Sequence, residues 1–377
     1  MNPLRLRTPL RLEALEDRTL LDGKVTTVIV NGRLYITGDD KANVFTLERT
    51  AGSTGTVGFH ITPDASTAIN DQPVGVAVDL GDALDLRVDS RGGADQVQVL
   101  GTPGSPFCRA LSVEGGSGAD SIKLQDVLVS SLSLSSLQGN DGFDLQRVVS
   151  GGGGSGGSVL VRCTDGSCAV SITDSTVLGP LSVVCRGATA FSSSHSSFAD
   201  VTITDDGRGA TPLSSSTSFD TCTAGTVRVS SRGGGHQFSM DDSRCSSLYL
   251  KYEGTQGVAS SSSTTLDNSA VAIEISSWSW GMSNSFSMSS SSAGRVIDKS
   301  SPILARGSSS LYLYGGQVGS VSVSSNGAYD LKAEGTKLSS LACAVVCPPG
   351  QSSSTTLTDV DMDGAVRVTA QGSHTFR

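Results

Sequence analysis

Short runs of alternating Val, Ile and Leu recur every twenty to twenty-five positions from about residue 84 onward. Glycine-rich corners separate them, and no helical period of useful length follows residue 22. Together these observations predict an all-β chain wound as a right-handed parallel β-helix, a β-solenoid of about 12 coils of roughly 20–25 residues. The runs include Leu84-Asp85-Leu86-Arg87-Val88, Leu111-Ser112-Val113, Leu132-Ser133-Leu134, Val159-Leu160-Val161, Val227-Arg228-Val229, Leu311-Tyr312-Leu313 and Val366-Arg367-Val368. Each holds too few apolar residues to fold alone, so successive copies must stack and bury one face in a shared column. In chain order, residues 1–23 read as an address segment, 24–80 as a β-rich lead-in and 81–377 as the coil itself.

The composition is unusual for a globular enzyme: 45 glycines, long serine tracts, 5% aromatic and 17% charged residues, against about 25% charged in ordinary domains. Sustained alternation argues for order, because a disordered polar chain has no reason to keep it. A net charge of −9 disfavours nucleic acid, whose phosphates need a basic face. Excess Asp in the turns suits either divalent cations or simple solubility. No stretch of about eighteen apolar residues offers a transmembrane helix.

At the N-terminus, Leu4, Leu6, Leu10 and Leu12 are interrupted by Arg5, Arg7 and Arg11, unlike the unbroken apolar region of a secretory signal. The string Arg11-Leu12-Glu13-Ala14-Leu15-Glu16-Asp17-Arg18-Thr19-Leu20-Leu21 resembles the planctomycete extracellular motif. The resemblance implies export or display at the cell surface and implies no activity. Behind it, Val28-Ile29-Val30-Asn31-Gly32-Arg33-Leu34-Tyr35-Ile36 reads as strand, Asn-Gly turn and strand, a strong hairpin signal. At the other end, Arg377 follows a strand by a few residues with no evident polar cap, as truncation would leave it.

Gly115-Gly116-Ser117-Gly118-Ala119-Asp120-Ser121-Ile122-Lys123 fits G-G-x-G-x-D-x-U-x and resembles the calcium-binding nonapeptide of RTX proteins. Weaker versions end at Asp95 and Asp144, 25 and 24 residues from Asp120. One-rung spacing places Asp95, Asp120 and Asp144 at one corner, where close carboxylates invite Ca2+. RTX repeats are tandem and these are not, so the alternative is that Gly-x-Asp simply builds a tight turn.

Eight cysteines in a chain read as exported point to disulfides. Cys163 and Cys185 end the same strand in consecutive repeats and should stack about 5 Å apart, within disulfide reach. Cys222 with Cys245, and Cys343 with Cys347, are weaker pairs, and buried free thiols are the alternative for all of them. With no C-x-x-C pair and no histidine at ligand spacing, no zinc cluster is legible.

No catalytic site emerges. His60, His195, His236 and His374 are scattered, no G-x-S-x-G is present, and the candidate acid pairs Asp205-Asp206 and Asp241-Asp242 stand 36 residues apart. Trp278 and Trp280 alternate with Ser and run in register with Met282, Phe286 and Met288. The expectation is that they face the core, as large apolar side chains do; exposed, they would stack on sugar rings. The functional expectation is an exported surface or envelope solenoid with a structural or adhesive role and no enzymatic activity, its partners polysaccharide or other surface components. The alternative is a polysaccharide lyase, glycoside hydrolase or carbohydrate-binding module, marked by two carboxylates in a groove or by an exposed aromatic row.

Overall fold

The computed structural model describes residues 23–51, 57–151, 156–207, 214–254, 260–301 and 308–377. The N-terminal address string lies outside them. All described secondary structure is β: apart from antiparallel pairs in the lead-in, strands stack in parallel into one sheet of 18 strands and a second of 16, giving a solenoid of about eleven turns. Each turn carries two strands. Thr176–Cys185 lies on the long-strand face, a corner follows, Thr189–Ser194 lies on the short-strand face, and a second corner leads to Ser197–Asp206 on the long face again. The apolar runs legible in the sequence are mostly the long-face strands, with Leu311-Tyr312-Leu313 an exception on the short face.

Stacking is in register. On the long face Val161, Val183, Ile203, Val229 and Leu250 form one inward column. On the short face Val170, Phe191, Thr217, Phe238, Thr264 and Phe286 form another. Steps along that second column alternate, 21 residues from Val170 to Phe191, 26 to Thr217, 21 to Phe238 and 26 to Thr264. A spread of spacings in the sequence is thus a regular two-coil repeat. Phe191 meets Phe219 at 5.3 Å and Phe219 meets Phe238 at 6.1 Å between ring centroids, and each fully buried ring contributes about 1.5–3 kcal/mol.

The lead-in is continuous with this body. Asn31 and Gly32, with φ of 52° and 74°, join Gly23–Val30 to Arg33–Thr37 as the expected two-residue hairpin. Arg33–Thr37 then pairs in parallel with Asp85–Asp89, and Val44–Ala51 with Gln96–Leu100. Leu34, Ile36, Phe45 and Leu47 enter the same core as the coils, so hydrogen bonding does not break at residue 80.

Serines build a stacked ladder at one corner. Where the short face bends into the long face, a residue with φ near 50° (Asp174, His195, Asp242, Asn268, Ser290) is followed by a buried serine. Ser175 N–H donates to Ser196 Oγ at 3.1 Å, Ser243 N–H to Ser269 Oγ at 3.2 Å, and Ser269 N–H to Ser291 Oγ at 3.0 Å. Each hydroxyl in turn donates to a carbonyl two residues back, at 2.7 to 2.8 Å. Serine is small enough for the corner and supplies the acceptor that a buried backbone N–H requires. Ser261–Asp267 and Ser283–Ser289 are likewise strands.

Candidate functional site

Where the long face turns into the short face, two buried columns confront each other. The last inward position of the long face reads Ser136, Cys163, Cys185, Asp205, Ser231, Tyr252, Ser279, Ser300 and Ser325 along successive coils. Opposite, the first inward position of the short face includes Asp120, Asp141, Cys168, Thr189, Ser215, His236, Ser262 and Asn284. The result is a polar spine running along one corner of the interior. Some members pair across the corner and between rungs: Ser215 and Ser231 donate to Asp205, Tyr252 stacks on His236 at 5.3 Å, and Ser262 donates to Asn284 at 2.9 Å, whereas Asp205 Oδ1 and Asp141 Oδ2 have no partner. Burial pushes the Asp205 carboxyl up to about 6 and the His236 imidazole down to about 4.

The aspartates of the Gly-x-Asp turns head this spine. Asn43 N–H donates to Asp95 at 2.7 Å, Asp95 N–H to Asp120 at 3.0 Å, and Asp120 N–H to Asp141 at 3.0 Å. The third rung is thus Asp141, not Asp144, which lies outside on the sheet 3.8 Å from Lys123 Nζ. The matching turns are Gly93-Ala94-Asp95, Gly118-Ala119-Asp120 and Gly139-Asn140-Asp141, and that Gly-x-Asp alignment was available in the sequence. Stacked glycines enforce it: a Cβ on Gly118, at φ of +133°, would stand 1.7 Å from the Gly93 carbonyl oxygen. Each carboxylate spends one oxygen on a backbone N–H and leaves Oδ2 without a partner. Burial raises all three carboxyls, that of Asp95 to about 7. Their oxygens are spread one rung apart rather than gathered at one point, with one unpartnered carboxylate oxygen per rung.

Cys163 and Cys185 stack in register as expected. Cys168, across the corner from Cys163, joins them, and the three sulfur atoms lie within 4.8 Å of one another. Hydrogen bonds from the thiols of Cys163 and Cys168 hold the pKa of Cys185 below the usual value. The other pairs do not form. Cys222 sits at the corner in register with Ser243, while Cys245 is opposite Ala224. Cys343 and Cys347 are four residues apart at one strand's end, about 13 Å at strand rise and beyond disulfide reach. All eight cysteines are buried free thiols.

The tryptophans reverse the expectation. Ile275 enters the core between Leu248 and Val296, so Ser277 and Ser279 follow it inward. Trp278 and Trp280 therefore project outward, 46% and 45% exposed. Lys251 Nζ lies 5.0 Å from the Trp278 ring centre, and on the rungs before, Arg228 lies 5.2 Å from that of Tyr249. Lys299 is the register partner of Trp278 on the other side. Glu253, opposite Trp280, pairs with Lys251 at 2.6 Å, so the long face of these coils is an aromatic patch with lysines on both sides of Trp278 and one carboxylate beside Trp280.

The acid pairs considered for catalysis separate. Asp205 is buried in the spine, Asp206 points out toward Arg232 at 3.9 Å, and Asp241 belongs to the other sheet. Three shallow hollows on the outer faces hold one carboxylate each: Asp64, Asp144 and Asp85, the last clamped below its usual pKa by Arg109 and Arg33. Asp220, Asp241 and Asp267 do stack in register on three rungs, at the exposed end of the short face. No helix among the described residues is long and apolar enough to cross a membrane.

Fold and surface together define a parallel β-solenoid with a filled interior and an aromatic, cationic patch on one sheet. No protein-family model matches the chain, and no similar curated protein or solved structure was found.

Proposed function

We propose that this chain is an exported surface solenoid that adheres to polysaccharide through its long face, with Trp278 and Trp280 as the stacking platform. The observation that carries the reading is the outward pair of rings on a strand whose intervening serines are buried. Two half-exposed indoles on one flat β-face cost solubility and add nothing to the core, which marks a contact surface. Residues i and i+2 stand about 7 Å apart on a strand, a spacing that presents two rings side by side along an extended chain. Lys251 and Lys299 flank Trp278 in register, and although Glu253, opposite Trp280, pairs with Lys251, the two lysines favour a glycan bearing carboxylate or sulfate groups over a neutral one. The N-terminal address string supports display outside the cell.

The test is retention of the full chain in affinity electrophoresis through acidic and neutral polysaccharides, with W278A/W280A as the comparison. Retention by acidic glycans that weakens with salt and falls at least tenfold in the double variant is the expected result. Equal retention of both proteins would remove the reading. The in-register Asp220, Asp241 and Asp267 favour glycoside hydrolysis as the second reading, since rung spacing approaches the roughly 5–5.5 Å of a retaining carboxylate pair. Release of reducing ends that D241N abolishes would put it first.

A further inference from the structure

We propose that Cys163, Cys168 and Cys185 form an interior binding site for one thiophilic d10 metal ion, of the zinc(II) or copper(I) kind. The three residues come from three strands. Cys163 lies two residues before the end of the long-face strand Val159–Asp165, Cys185 closes the adjacent strand Thr176–Cys185, and Cys168 opens the short-face strand Cys168–Thr173 of the same coil as Cys163. All three sulfur atoms lie within 4.8 Å of one another. An ion bonded at about 2.3 Å to each sulfur needs them about 4 Å apart, which small side-chain rotations provide. The Cys-x4-Cys-x16-Cys spacing matches no linear zinc motif because the corner and the coil, not a knuckle, bring the ligands together.

The surroundings favour an ion over inert packing. Asp141 is the register partner of Cys168, and Asp205 that of Cys185. Both are almost fully buried, and Asp141 Oδ2 and Asp205 Oδ1 have no hydrogen-bond partner. No lysine or arginine among the described residues forms an ion pair with either. A cation held by the three sulfurs offsets this uncompensated negative charge on the neighbouring rungs. A disulfide explains less. It uses two of three thiols, and partners directly opposite on parallel strands keep their Cβ atoms near the 4.8 Å strand spacing, longer than the roughly 3.8 Å typical of a disulfide. Being interior, the site would load as the chain folds, so the ion stabilises the native state by mass action.

The full-length chain, refolded with reductant and freed of metal, is passed through a desalting column with one equivalent of zinc, and bound zinc is measured by elemental mass spectrometry. One retained ion per chain and a raised melting temperature are expected. C168S and C185S should each lower zinc affinity at least tenfold. C245S, a buried cysteine elsewhere in the core, should bind as the parent does. Cadmium, as an optical probe, should give thiolate charge-transfer absorption in the parent and lose it in C185S. Failure of the unsubstituted chain to retain zinc overturns the proposal whether or not the variants fold. Equal binding by C168S and C245S would overturn it too, as would peptide mapping that finds Cys163 and Cys185 bonded in protein refolded with zinc.

Discussion

Asp298 should make this solenoid lose stability as pH rises from about 4 to 7, and D298N should remove that loss. Asp298 is fully buried, occupying an inward long-face position in register with Ser277 and Val323. Tyr329 donates its hydroxyl to Oδ2 at 2.5 Å, and Oδ1 is left without a partner. Burial pushes the carboxyl from 3.8 up to about 6 against the opposing hydrogen bond of Tyr329. Between those two values the folded chain keeps a proton that the unfolded chain has released. Stability is therefore full below the unfolded pKa and declines as pH climbs through the folded one. At about 1.4 kcal/mol per pH unit, the penalty at neutral pH is on the order of 3 kcal/mol. Asparagine keeps an oxygen for the Tyr329 hydroxyl and carries no charge at any pH. Urea unfolding of parent and D298N at half-unit steps from pH 4 to 7.5 provides the assay. The two stabilities should run close at pH 4 and separate by about 2–3 kcal/mol in favour of asparagine at pH 7.5. Curves that stay parallel across the range would refute the argument, since they would show that Asp298 titrates alike in both states.

S269A leaves the buried N–H of Ser243 without its acceptor and should cost about 1–3 kcal/mol, read as a lower urea midpoint at unchanged slope. G118A drives a Cβ into the Gly93 carbonyl and should cost at least about 2 kcal/mol, whereas G104A, with open space around it, should cost about 1 kcal/mol; scanning calorimetry separates them. Millimolar calcium should leave the melting temperature unmoved, because Asp95, Asp120 and Asp141 each offer one free oxygen per rung. A rise that D120N abolishes would instead assign the ladder to calcium.

Much of the architecture was legible in the chain itself. The recurrence of Leu111, Leu132, Val159 and Leu181 at near-rung spacing specifies stacking, because a strand with so few apolar residues has no other way to bury them. Asn31-Gly32 specifies its hairpin through two positive φ angles that few other residues tolerate, and the equal placement of Cys163 and Cys185 at strand ends specifies their column. What the tertiary structure alone decided concerns orientation and meeting. Ser277-Trp278-Ser279-Trp280 says that alternate residues face opposite ways and not which way, since a period of two is symmetric between the faces. The choice was made by Ile275, locked between Leu248 and Val296 on neighbouring coils. Asp141 displaced Asp144 for the same reason: it lies two residues before the inward Phe143, and Asp144 lies one after it. Cys168 meets Cys163 and Cys185 only because a corner folds one sheet toward the other. Period and composition are local properties of a chain, whereas register and inward direction are set by contacts with the coils above and below.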